Sequence, residues 1–143
     1  MSFELDLSFG KIYEKKLLDF VKHDKYNIKE GYFPYYDVEI TNNNETKTYE
    51  CKADRIGYKT GNMTIEFEHN GRNSGINITT SDYYAYFVVR PYNVFELYII
   101  PTQQLKDDIA NKLYKRVAIG GSNKKTKMYM FDFDIYNKYK VEV

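Results

Sequence analysis

The chain predicts an α+β domain built on a central mixed, mainly antiparallel sheet flanked by helices. Three observations lead there. The 143 residues include 16 Tyr and 9 Phe, amphipathic and aromatic side chains that suit half-buried strands. Several segments alternate apolar and polar residues with a period of two, and two others space apolar residues at helical intervals.

The first helical pattern runs from Ser8 to Lys22, with Phe9, Ile12, Tyr13, Leu17, Phe20 and Val21 on one stripe and Ser8 as N-cap. A short extended piece is expected around Tyr26 to Lys29. Tyr35 to Thr41 and Thr46 to Asp54 both alternate, joined by Asn42-Asn43-Asn44-Glu45. Asparagine tolerates positive φ, so this cluster signals a hairpin. Met63 to His69 reads as a third strand, followed by a loop rich in Gly, Asn and Ser over Asn70 to Asn77. Tyr83 to Val89 and Phe95 to Ile100 read as two more strands around the turn Arg90-Pro91-Tyr92-Asn93. Pro101-Thr102 opens a helix with Leu105, Ile109 and Leu113 on one face. Met128 to Ile135 and Tyr139 to Val143 read as extended, with Asp132 and Asp134 on the wet face of an edge strand.

The length suits one domain over 1–143, with a core at about 8–115 and a C-terminal strand or extension from about 116. Lys plus Arg number 21 against 20 for Asp plus Glu, so no global field draws in nucleic acid or membrane, and such contacts require a local patch. One cysteine excludes a disulfide framework and a cysteine-ligated zinc. No apolar run approaches a membrane span, and Met1 to Gly10 lacks the pattern of a signal peptide. The expected setting is soluble and intracellular. Gly120-Gly121 reads as a turn, and nothing matches a phosphate-binding or dinucleotide glycine motif.

The first hairpin carries the chemistry. If Asn43-Asn44 form a two-residue turn, Val38 faces Tyr49 and Asp37 faces Glu50. Alternation then projects Asp37, Glu50 and Lys52 from one side. Tyr36, Val38, Ile40, Tyr49, Cys51 and Ala53 make an apolar face on the other. Two carboxylates and an ammonium therefore cluster with apolar backing. Mg²⁺ takes one or two carboxylates together with substrate phosphate and water. Asp37 and Glu50 are candidate ligands, the backbone carbonyl of Cys51 lies between them, and Lys52 stands beside the metal-bound water to orient it.

These residues resemble the PD-(D/E)XK nuclease superfamily, whose core places an Asp before a Glu-x-Lys on neighbouring strands. Here the pattern is Asp37 followed by Glu50-Cys51-Lys52. The superfamily begins with a helix, often bearing a glutamate, before three antiparallel strands; Glu14 matches that glutamate. Its proline is displaced, with Pro34 three residues before Asp37. Thr60-Gly61-Asn62 leading into Ile65-Glu66-Phe67-Glu68, then Ser74-Gly75-Ile76 and Ser81-Asp82-Tyr83-Tyr84, look like small phage and bacterial members, over about residues 8–115. The resemblance implies a restriction-endonuclease-like core and Mg²⁺-dependent hydrolysis of DNA by metal-activated water, with Mn²⁺ as a substitute. Glu14, Asp37, Glu50 and Lys52 would be catalytic. Acidic-x-Lys triplets begin at Glu14, Glu45 and Glu50, so the triplet alone is weak. Strand context and a same-face Asp distinguish the last.

Further candidates surround this set. Glu66 is a candidate additional metal carboxylate on the third strand. Lys59, Arg72, Lys124, Lys125 and Lys127 lie in Gly/Asn-rich stretches and are candidate phosphate contacts. His69 follows the third strand, and His23 ends the first helix, where a cation suits the dipole. Cys51 faces the core and is not a nucleophile. The expected partner is DNA, with a homodimer supplying two cuts and a larger footprint. The alternative is a non-catalytic nucleic-acid- or protein-binding module with a tyrosine-rich sheet.

Overall fold

The alternation in the first half of the chain resolves into antiparallel pairs. The computed structural model describes residues 3–121 and 124–143, with side chains from residue 9 onward. Helix α1 (Phe3–Leu17) precedes strands β1 (Lys25–Ile28), β2 (Val38–Asn42) and β3 (Glu45–Asp54), each antiparallel to the next. Asn43 and Asn44 take φ of 53° and 64°, the paired positive values of a tight hairpin turn. Val38 pairs with Tyr49, the register the sequence implies.

After β3 the chain leaves this sheet. A short helix α2 (Gly57–Thr60) leads into β4 (Asn62–His69) and β5 (Arg72–Asn73), and a 3₁₀ turn over Gly75–Asn77 precedes β6 (Tyr83–Val89). Strand β6 returns parallel to β3, and β7 (Phe95–Pro101) folds back antiparallel beside it. Six of the seven β6 residues are buried, as expected of a strand covered on both faces. Helix α3 (Thr102–Ala110), β8 (Arg116–Gly120), β9 (Thr126–Asp132), a 3₁₀ segment over Phe133–Tyr139 and β10 (Lys140–Val141) complete the chain. The result is an α+β fold: a mixed six-stranded sheet ordered β1-β2-β3-β6-β7-β10 and a second, antiparallel sheet ordered β5-β4-β9-β8.

The six-stranded sheet is covered on both faces. On one, Tyr13 and Leu17 of α1 pack on Val38, Ile40, Tyr49, Phe87 and Leu97. On the other, Tyr84, Tyr86, Val88, Tyr98 and Ile100 meet Met63, Ile65 and Phe131 of the second sheet. The two cores are independent layers sharing one sheet.

Several expectations need correction. The first helix ends at Leu17, and Ser8 lies inside it rather than at its cap. Beyond Leu17, bonds from Leu18, Asp19 and Phe20 to carbonyls three residues back tighten the chain into turns, which bring Phe20 and Val21 onto the α1-side core. His23 therefore follows a turn, and its Nδ1 lies 2.9 Å from the Val21 carbonyl. Strand β2 starts at Val38, not Tyr35. Helix α3 stops at Ala110, the chain turns through Lys112 at φ 57°, and Leu113 is exposed. Strand β9 is interior to its sheet and ends at Asp132, whose carboxylate accepts from the Asp134 amide and caps the 3₁₀ segment. Residues 116–120 and 126–132 form part of the second sheet as β8 and β9. No helix among the described residues is long and apolar enough to cross a membrane.

Candidate active site

Asp37 stands just before β2 begins, so on the β2 side β3 has no strand partner at the level of Cys51. The Asp37 side chain fills that gap: its Oδ2 accepts from the Cys51 amide at 2.8 Å, while the Asp37 amide donates to the Tyr49 carbonyl at 2.9 Å. Glu50 projects from the opposing position toward the second sheet, beside Tyr84 in the parallel register. The Asp37 and Glu50 carboxyls lie within hydrogen-bonding reach of each other. Glu14 approaches from α1, close enough for its charge to act on Glu50 and for the Asp37 charge to act on it.

Burial raises the proton affinity of all three acids, and the Asp37 charge adds to it at Glu50 and Glu14. Burial first, then the Asp37 charge, pushes Glu50 up to about 8 from an ordinary 4.5. Burial raises Asp37 as well, opposed by the Cys51 amide and by the Lys11 ammonium. Burial and the Asp37 charge push Glu14 up to about 7. Glu14 Oε1 is shielded from solvent and accepts no hydrogen bond; the Lys11 ammonium 3.3 Å away points its own donation at the Lys29 carbonyl, at 2.7 Å. A crowded, desolvated carboxylate pair of this kind is relieved either by protons or by a cation.

That donor set fits a hard divalent cation. Asp37 and Glu50 provide two oxygen ligands, and the Cys51 carbonyl lies on the strand edge that Asp37 covers. Among the described residues no group of three or more His, Cys, Asp or Glu side chains is arranged to hold a metal by itself. Mg²⁺ commonly completes its shell with water and substrate phosphate. The Cys51 thiol belongs to the α1-side core, and burial raises it well above its ordinary value, so it stays protonated and inert.

Glu50 opens into a cleft of about 960 Å³ between the two sheets. Lys52 lines it, two residues along β3 on the face of Glu50, and is exposed. It forms no ion pair with either acid; the ammonium that acts on Asp37 belongs to Lys11. The sequence placed Lys52 beside the acids, whereas the structure places it in the same cleft without contact to them. Glu66 and His69 line the opposite wall on β4. Glu66 adds to the charges that raise Tyr84 but is not among those acting on Asp37 or Glu50. The fold therefore separates it from the pair, because β4 belongs to the second sheet. His69 Nδ1 lies 2.8 Å from Thr126 Oγ1.

Of the five basic candidates, Arg72 on β5 lines the cleft. Lys59 lies on α2 rather than in a loop, with its ammonium 5.7 Å from the Tyr58 ring centroid. Lys127 lies on β9 rather than in a loop and pairs with Glu68 at 3.1 Å. Lys124 and Lys125 are exposed beside the β8–β9 turn and do not line the cleft.

Sequence reasoning missed the support under Glu50. Thr79 Oγ1 lies 3.4 Å from Glu50 Oε1, donates to the Tyr35 carbonyl at 2.7 Å and accepts from the Ser81 amide at 3.1 Å. Ser81 Oγ continues the chain to Thr102 Oγ1 at 3.0 Å. These buried hydroxyls fasten the loops before β2 and β6 to each other. The run Thr79-Thr80-Ser81 was the available signal. No family model, curated protein or solved structure matches the chain.

Proposed function

We propose that the chain is a Mg²⁺-dependent endonuclease that hydrolyses DNA phosphodiester bonds and acts in the cytoplasm. The observation that carries this reading is the convergence of Glu14, Asp37 and Glu50, the last of which lines a cleft that Lys52 also lines. The order of a helix followed by three antiparallel strands, with the Asp immediately before the second and the Glu-x-Lys on the third, also supports the resemblance to the PD-(D/E)XK superfamily.

When bound, the cation supplies positive charge against the phosphate and lowers the pKa of coordinated water. Asp37 and Glu50 would hold it. Lys52 brings a second positive charge into the same cleft, where it binds phosphate oxygens and orients the water that attacks. Glu14, pushed up to about 7, can hold a proton near neutral pH at a carboxylate shielded from solvent. Thr79 holds Glu50 in place. The expected second copy would pair through the edge strand β8, where Val117 and Ile119 are exposed.

The test is metal-dependent cleavage by wild type and Asp37→Asn. Asparagine keeps an acceptor for the Cys51 amide, so the fold should persist while cleavage in Mg²⁺ falls at least about 100-fold. Full-rate cutting by this variant would sink the reading. The non-catalytic binding module draws on Tyr26, Tyr32, Tyr35 and Tyr92, all exposed. It expects DNA affinity that ignores Mg²⁺ and is unchanged, or tighter, in Asp37→Asn.

A further inference from the structure

The cleft is poorly equipped to grip a duplex. Proteins that bind duplex DNA tightly neutralise about 6–10 phosphates. Here the lysine and arginine that line the cleft are Lys52 and Arg72, and Glu66 shares the wall with Arg72. Over the whole chain the formal charge is +1. Two ion pairs alone give little affinity, so most of it must come from another contact.

An aromatic ring is in place to supply it. Tyr32 lines the same cleft and is 92% exposed, among the most exposed large side chains described. The loop that carries it is fixed. Phe33 packs edge-on against Tyr35 and Tyr36 at 5.4 and 5.0 Å, and the Lys29 ammonium sits 4.9 Å from the Phe33 ring centroid. Gly31 at φ +68° makes the turn that precedes Tyr32. Tyr32 itself stacks on no described ring. A ring left bare on an anchored loop has lost little freedom to gain by folding inward, and it is preorganised to receive a flat partner. Bases in a duplex are already stacked on one another, whereas an unpaired base offers its face.

The geometry points to single-stranded DNA as the substrate: an unpaired base stacks on Tyr32 while Lys52 and Arg72 hold phosphates from the two walls of the cleft. This inference rests on the hydrolytic reading of the Asp37–Glu50 pair and names its substrate.

The experiment compares an oligothymidylate strand with a blunt duplex of equal length, by cleavage in Mg²⁺ or Mn²⁺ and by fluorescence anisotropy in Ca²⁺. The strand should be cut with kcat/KM at least about tenfold higher than the duplex. Tyr32→Ala should weaken strand binding and raise KM about tenfold, and Tyr32→Phe, which keeps the ring face, should restore both. Arg72→Ala should reduce the slope of log affinity against log salt by about 0.7, the value of one single-strand phosphate contact. Equal cutting of duplex and strand, or strand binding by Tyr32→Ala equal to wild type, would overturn the substrate assignment and leave the nuclease reading standing. Absence of cleavage on both substrates would overturn the hydrolytic reading, and with it the assignment of a substrate. Tyr32-dependent anisotropy would then identify a strand-binding surface alone.

Discussion

Lys52 stands on β3 between two neighbours on its own face that are both engaged. Glu50 is held by Thr79, and Asp54 accepts from the Ile56 and Gly57 amides at 2.8 and 2.9 Å and from the Tyr86 hydroxyl. Lys52 reaches into the cleft and is exposed. Its removal should therefore cost little stability: Lys52→Ala should shift the unfolding free energy by no more than about 0.5 kcal/mol. The same variant should lose DNA cleavage in Mg²⁺. Thermal melting and cleavage, measured on one preparation, check this together; a variant that melts several degrees lower would make Lys52 a structural residue. The hairpin register and the shared face of Glu50 and Lys52 were legible because face parity in a hairpin depends only on an even-numbered turn. Thr79 and Lys11 were not. They reach the acids from distant parts of the chain, and no local period records such an approach.

At the scale of elements, one side chain ties the two sheets together. Tyr86 on β6 donates to Asp54 Oδ2 on β3, and its hydroxyl accepts from the Thr64 amide on β4 at 3.0 Å. Tyr86→Phe would leave a buried carboxylate and a backbone amide each short of a partner. The expected cost is about 1–3 kcal/mol, read as a lower urea midpoint. An unchanged midpoint would show that the sheets are joined by apolar contact alone. Sequence reasoning could not have drawn this link, because it did not separate the sheets. The β2–β3 hairpin is visible locally, since two asparagines at positive φ specify their own turn. The parallel pairing of β3 with β6 joins residues 34 positions apart, from Tyr49 to Tyr83. Nothing in either strand's alternation says which sheet it enters. Strand β8 was missed for a different reason: Val117 and Ile119 point to solvent and Ala118 is half-buried, so its pattern runs against the usual sense of burial. The Phe133–Tyr139 segment keeps an apolar alternation while its backbone coils, and the cap from Asp132 was the clue that it does so.

Across the whole molecule, the acid cluster sits where the six-stranded sheet gives out between its two covered faces, so its charge state bears on overall stability. Glu50 at about 8 and Glu14 at about 7 both lie above the ordinary carboxylate value of 4.5. The folded protein therefore binds these protons more tightly than the unfolded chain. Their stabilising contribution is fully present below about pH 4.5 and is lost as pH rises through 7 to 8. Glu39 and Glu96 act in the opposite sense. The Tyr36 hydroxyl lowers Glu39, and Lys140 and Arg90 lower Glu96, so their contributions are present above 4.5 and fade only in more acid solution. Between pH 5 and 9 the acid cluster is then the cause of declining stability. In the absence of divalent metal, the melting temperature should fall across this window, and Glu50→Gln should flatten the fall while retaining an acceptor for Thr79. Under the proposed reading a divalent cation would replace the proton as the group that neutralises Asp37 and Glu50, so Mg²⁺ or Mn²⁺ should raise the melting temperature more at pH 8 than at pH 5.5. Glu50→Gln should lose that gain. Parallel pH profiles for wild type and Glu50→Gln would remove the buried pair as the source of the pH dependence. A cation effect that survives Glu50→Gln would place the ion elsewhere on the protein.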